Sequence, residues 1–75
     1  MKLKKGMKVG LAVRGAGVVS YEANHEVEKI TKKGIKLEAF ESDDYLFDKD
    51  TLSTGVLFGG FSFKIIDNEE ALKRK

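Results

Sequence analysis

The sequence predicts a mainly β fold, a small and strongly bent barrel of about five strands that ends in a short helix. Apolar residues alternate with polar or small ones near both ends of the 75-residue chain, at 7–13 and at 61–66, and this period of two is typical of half-buried strands. In between, a lysine-rich turn ending in Gly34 separates two further candidate strands. Several short strands with one terminal helix do not suit a layered α/β fold, so one bent sheet is expected.

The first strand is predicted over residues 7–13. Met7, Val9, Leu11 and Val13 share one face, as alternate residues of a strand do. The glycine-containing segment 14–17 then ends it, and residues 18–24 are compatible with either a loop or a short irregular strand.

The second and third strands, 26–31 and 35–40, are predicted to form a hairpin. Their connection ends in Gly34, as in a type I turn followed by a residue with positive φ. Val27 and Ile30 differ in parity, which predicts a bulge between them.

A short strand is predicted at 45–47, after a polar turn at 41–44. Asp48 is then expected to accept hydrogen bonds from the backbone amides of a tight turn. The last strand is predicted at 61–66 and the helix at 68–74. Asp67 would cap this helix, with Glu70 three positions later as in a capping box.

Composition indicates one domain, residues 1–75, in the cytoplasm. The chain has no cysteine, which fits a reducing compartment, and no apolar run near the roughly 18 residues of a membrane span. The formal net charge is only +2. No membrane contact is expected, and the protein is predicted to be a monomer or a small homo-oligomer.

Three segments carry a family resemblance: LKKGMKV at 3–9, VEKITKKG at 27–34 and YLFDKDTL at 45–52. With the closing strand and helix, they resemble the small SH3-like β-barrel proteins encoded by bacteriophages and prophages. They resemble the KOW-type barrels of transcription and translation factors more distantly. The resemblance implies an SH3-like barrel and a phage accessory protein that acts on a bacterial host protein. The KOW comparison would imply nucleic-acid contact, but the chain has no clear copy of the KOW glycine pattern.

No catalytic, metal or cofactor site is predicted. His25 is the single histidine, and no cysteine or serine triad accompanies it. Asp44, Asp48 and Asp50 do not follow the calcium-loop spacing. The segment 14–17 has neither the third glycine nor the following helix of a dinucleotide fingerprint. The protein is therefore expected to be a binding module without enzymatic activity.

A protein partner is the favoured expectation. No charged residue occurs from 51 to 63, where glycines flank an apolar run, and uncharged apolar segments left at a surface commonly serve as contacts. The first loop, residues 14–26, is the second expected contact region. The candidate protein-binding residues are Arg14, Tyr21, Leu57 and Phe58.

Nucleic-acid binding is the alternative. Lysines concentrate at the predicted hairpin and would contact phosphates, although lysines at such positions also protect strands from edge-to-edge pairing. The candidate residues are Lys29, Lys32, Lys33 and Lys36.

Overall fold

The computed structural model describes residues 2–40, 45–57 and 59–75. Its antiparallel strands form one curled, half-barrel sheet in the order β3-β2-β1-β5-β4, and a short helix follows. The prediction of a mainly β fold with about five strands and a C-terminal helix is confirmed. The elements are β1 Lys8–Gly15, β2 Val18–Thr31, β3 Gly34–Leu37, β4 Ser53–Val56, β5 Ser62–Ile66 and α1 Asn68–Arg74.

Strand β2 is much longer than the sequence predicts, because it begins at Val18 and not at residue 26. The expected first loop, 14–26, is wrong: β1 and β2 pair out to Gly15 and Val18 and are joined by a two-residue turn. Ala16 and Gly17 both have positive φ, +53° and +75°. A two-residue turn in which both residues have positive φ twists in the same sense as the strands that it joins. The two strands therefore stay paired up to the turn.

A bulge interrupts the β1–β2 ladder near the helix. Val9 pairs with His25 and Leu11 pairs with Glu22, so Gly10 faces two residues of β2. One of these, Asn24, has φ +64°. The bulge bends β2 and lets it pass from β1 to β3.

The bulge predicted in the next hairpin lies where the sequence places it, between Val27 and Lys29. Strand β3, however, ends at Leu37 instead of residue 40, because the chain turns there and the Phe40 N–H donates to the Leu37 carbonyl. Gly34 is required at the start of β3, since a Cβ at that position would lie 2.6 Å from the Phe47 carbonyl oxygen.

The strand predicted at 45–47 is wrong in extent. Within its described residues only Phe47 pairs, through a single bridge to Ile35. The Asp48 N–H then donates to the Ser53 carbonyl at 2.9 Å. Residues 47 and 48 therefore bridge the two edge strands, β3 and β4, between which the described residues form no ladder. The sequence assigned no strand at β4.

Asp48 accepts from the backbone N–H groups of Asp50 and Thr51 at 2.7 and 3.0 Å, as predicted.

The apolar core lies inside the curl of the sheet. It contains residues of β1, β2, β3 and β5 and the bridging residue Phe47. Its buried members are Val9, Leu11, Val27, Ile35, Leu37, Phe47 and Ile65.

Helix α1 docks on the opposite, outer face of the sheet. Ala71 is fully buried there and lies against Gly10, where an added Cβ would overlap the Ala71 methyl. Asp67 caps the helix as predicted, since its carboxylate accepts from the Glu69 N–H at 2.8 Å. Glu70 does not complete a capping box, because its carboxylate accepts from Arg74 Nε.

Candidate functional site

An open apolar depression of about 290 Å³ lies at one end of the curl, and we call it the aromatic groove. It sits beside the core, where the chain leaves β3 and where β5 begins. Apolar and aromatic side chains form its lining: Phe40, Tyr45, Leu57, Phe61 and Phe63.

Phe40 organises the aromatic groove. Its ring packs edge-on against Phe63 and Phe47, with centroids 5.1 and 5.6 Å apart, and lies 6.1 Å from the Tyr45 ring. These separations are those of favourable aromatic pairs. Phe47 belongs to the buried core, so the groove lies directly against that core.

Phe61 forms the outer wall of the groove. Its ring lies directly over Gly15, where a Cβ would overlap ring carbons. The glycine therefore lets an aromatic ring pack directly on the strand. Even so, Phe61 remains 44% exposed and Tyr45 37% exposed. Large aromatic surface is thus accessible to solvent at this groove.

The predicted protein-binding residues do not form one site. Leu57 lines the aromatic groove, and Phe58 lies outside the described residues. Arg14 and Tyr21 are strand residues, not loop residues. Arg14 pairs with Ser62 of β5 and Tyr21 pairs with Ala12 of β1, which places both on the outer face of the sheet.

The four lysines predicted to contact nucleic acid do not form one site either. Lys32 and Lys33 are exposed at the β2–β3 turn. Lys36 is only 9% exposed, and its Nζ lies 2.9 Å from Glu28 Oε2. Lys29 pairs with Lys36 in the β2–β3 ladder. Of the four, only Lys32 and Lys33 lie at the tip.

His25 and Asp48 each have defined local partners. His25 Nε2 lies 2.8 Å from Glu22 Oε1, across the bulge in β2. The pKa of the Asp48 carboxyl is lowered from its ordinary value, 3.8, because the Thr51 and Asp50 backbone amides donate to it. In the described parts of the chain, no three acidic or histidine side chains come together as a metal site would require.

Sequence reasoning missed most of the groove. Of the residues that line the groove, only Leu57 is among those predicted to bind a partner. The available signal was the pair Gly59 and Gly60 just before Phe61, both with positive φ. Such glycines place the start of β5 at a turn, where the first aromatic side chain reaches the rim of the sheet.

Comparisons of the chain with protein-family models, with curated proteins and with solved structures gave no significant match. No helix among the described residues is long and apolar enough to cross a membrane.

Proposed function

We propose that this protein is a non-enzymatic binding module whose aromatic groove takes apolar side chains from a partner protein. The observation that carries the proposal is the exposure of Tyr45 and Phe61, 37% and 44%, in a depression lined by apolar residues. Partly exposed aromatic residues in a concave site are the usual anchoring points of protein interfaces.

The size of the groove favours a side-chain anchor. At about 290 Å³ it is near the lower limit of the pockets that hold small molecules or cofactors. Leu57 and Phe61 lie at its rim on the two sides of the β4–β5 turn, and the Leu57 N–H donates to the Phe61 carbonyl at 2.7 Å. This hydrogen bond fixes the rim, so little ordering of the groove would be needed on binding.

The resemblance to phage-encoded SH3-like barrels extends the proposal to the partner and the setting. We infer an accessory protein that acts in the cytoplasm of a bacterial host and binds a host protein. The absence of cysteine supports that compartment.

The direct test is selection of peptides from a random display library on the immobilised protein. We expect the selected peptides to carry aromatic or aliphatic residues and to bind with little dependence on salt. The Tyr45→Ser and Phe61→Ser variants should lose this binding by at least about tenfold, which corresponds to about 1.4 kcal/mol.

The matched control is Leu72→Ser, which removes a comparably exposed apolar side chain (48%) from the helix and not from the groove. Circular dichroism verifies the fold of each variant. Peptides that bind the groove variants as tightly as the wild type would refute the proposal. Concentration-dependent dimerisation that Phe61→Ser abolishes would assign the groove to a second copy of this chain instead.

A further inference from the structure

We propose that the outer face of strands β1 and β5 binds the backbone phosphates of a nucleic acid, with Arg14 and Lys64 as its main contacts. This face is distinct from the aromatic groove, because Phe61 and Phe63 alternate along the β5 region with Ser62 and Lys64. Alternate residues of a strand point to opposite sides of the sheet. The inference does not depend on the proposed protein-binding function.

The two cations lie close together on one surface. Arg14 pairs with Ser62 across the β1–β5 ladder, and Lys64 pairs with Ala12 two residues along. Arg14 and Lys64 are therefore diagonal neighbours, with backbones roughly 7–8 Å apart. Two long, flexible side chains at that separation can both reach one phosphate group.

The space between them is open. A recess of about 280 Å³ is lined by both cations, by the small residues Ala12, Ser53 and Ser62, and by Phe63, which also lines the aromatic groove. Both cations are exposed. Neither lies within 4.0 Å of a carboxylate in the described part of the chain. A recess lined by charges of one sign attracts ions of the opposite sign.

The C-terminal end of the helix brings further cations near this recess. Its last turn reaches Tyr21, because the Arg74 guanidinium carbon lies 5.6 Å from the centre of that ring. Tyr21 pairs with Ala12, which lines the recess. Arg74 is ion-paired to Glu70, but Lys73 and Lys75 flank it in sequence, and both are exposed.

A basic surface that extends over several residues fits a ligand with repeated charges better than a single small anion. Tyr21 is already covered by Arg74, so base stacking is not expected to determine the affinity. The structure therefore points to sequence-independent contact with the phosphodiester backbone.

The experiment measures fluorescence anisotropy of a labelled single-stranded oligo-dT at several salt concentrations. We expect binding at low salt that weakens as salt rises, with a logarithmic slope of about −0.7 for each phosphate engaged. An oligo-dA of equal length should bind with the same affinity. The Arg14→Glu/Lys64→Glu variant should bind at least about tenfold more weakly and with a shallower slope.

The matched control is Lys32→Glu/Lys33→Glu, which changes the net charge equally at the β2–β3 turn and should retain most of the affinity. If Lys32→Glu/Lys33→Glu weakens binding as much as Arg14→Glu/Lys64→Glu does, the contact is at the turn and the proposal is wrong. Competition by poly-glutamate at equal charge, or no binding at low salt, would also overturn it. If the Arg14→Glu/Lys64→Glu variant does not fold, Arg14→Gln/Lys64→Gln replaces it and should also bind more weakly than the wild type. NMR shifts of the Ser62 and Lys64 amides of the wild type on addition of the oligonucleotide then test whether the contact lies on this face.

Discussion

The Asn24 backbone N–H donates to the side-chain oxygen of Asn68 at 2.7 Å, and the Asn68 amide donates back to the Asn24 side chain at 3.0 Å. Asn24 lies in the β1–β2 bulge with φ +64°, and Asn68 is the first residue of α1. A bulge leaves a backbone N–H outside the ladder. Here the helix satisfies that N–H, so the bulge and the docking of the helix stabilise each other.

Asn68→Ala removes both hydrogen bonds and should therefore lower the free energy of unfolding by about 1–3 kcal/mol, since each such bond usually contributes about 0.5–1.5 kcal/mol. Asn24→Gly is the matched variant, because glycine keeps the positive φ and the backbone donor and loses only the side-chain bond. Urea denaturation gives both values, and amide exchange at Ala71 reports the helix. If Asn68→Ala and Asn24→Gly lowered the stability equally, the hydrogen bond from the Asn24 backbone N–H would not be the main contribution.

The close contact between Gly10 and Ala71 should also be sensitive to substitution. A Cβ at Gly10 would overlap the Ala71 methyl and would lie 3.2 Å from the Asp67 carbonyl. Gly10→Ala should cost about 1–3 kcal/mol, as over-packed sites do. Adding Ala71→Gly should recover part of this loss, because it removes the closest obstacle. A double-mutant cycle with no favourable coupling would show that the helix does not pack as described.

The sequence predicts those features that depend on near neighbours. The alternation that begins at Met7, the cap at Asp67 and the bulge after Val27 are all local, and each is present in the structure. The full length of β2 was not predictable in this way, because Val18 and Val19 carry no alternation of their own. Pairing with β1 extends the strand to that point.

The aromatic groove was not predictable for a related reason. The position of Phe61 depends on its packing over Gly15 of β1, a strand that is distant in sequence, and no local pattern distinguishes it from Phe63. For Lys36 the sequence pattern indicates exposure, whereas the structure shows burial. Alternation with Ile35 and Leu37 places it on a solvated face, but it is buried beside Glu28 of the neighbouring strand.

The β1–β2 turn offers a stabilising substitution. Ala16 has φ +53°, a conformation that costs an ordinary L-residue roughly 1–2 kcal/mol. Asparagine tolerates it better, and Asn-Gly is the preferred pair for such turns. We expect Ala16→Asn to raise stability by about 0.5–1 kcal/mol and the melting temperature by several degrees. The control Ala16→Val should lower both, because β-branched residues disfavour positive φ. No gain from asparagine would argue against the turn geometry.

The last prediction concerns acid stability and Asp48. The Asp48 carboxylate accepts from the Thr51 and Asp50 amides, which lowers its pKa in the folded protein below the ordinary value of 3.8. In the unfolded chain its pKa is about 3.9. As the pH falls through that value the unfolded state binds the proton first. The stabilisation from Asp48 is thus complete above the unfolded pKa and is lost as the pH falls through the folded pKa.

Asp48→Asn isolates this effect, because asparagine accepts the same backbone hydrogen bonds but does not titrate. The difference in unfolding free energy between wild type and Asp48→Asn should be constant from neutral pH to about pH 5 and should then change in favour of the variant at lower pH. Asp48→Ala, which also removes the acceptor, should be less stable than Asp48→Asn at every pH. Urea denaturation across this pH range provides the measurement. A difference between wild type and Asp48→Asn that stays constant through the acid range would mean that the carboxylate is not held by those two amides in solution.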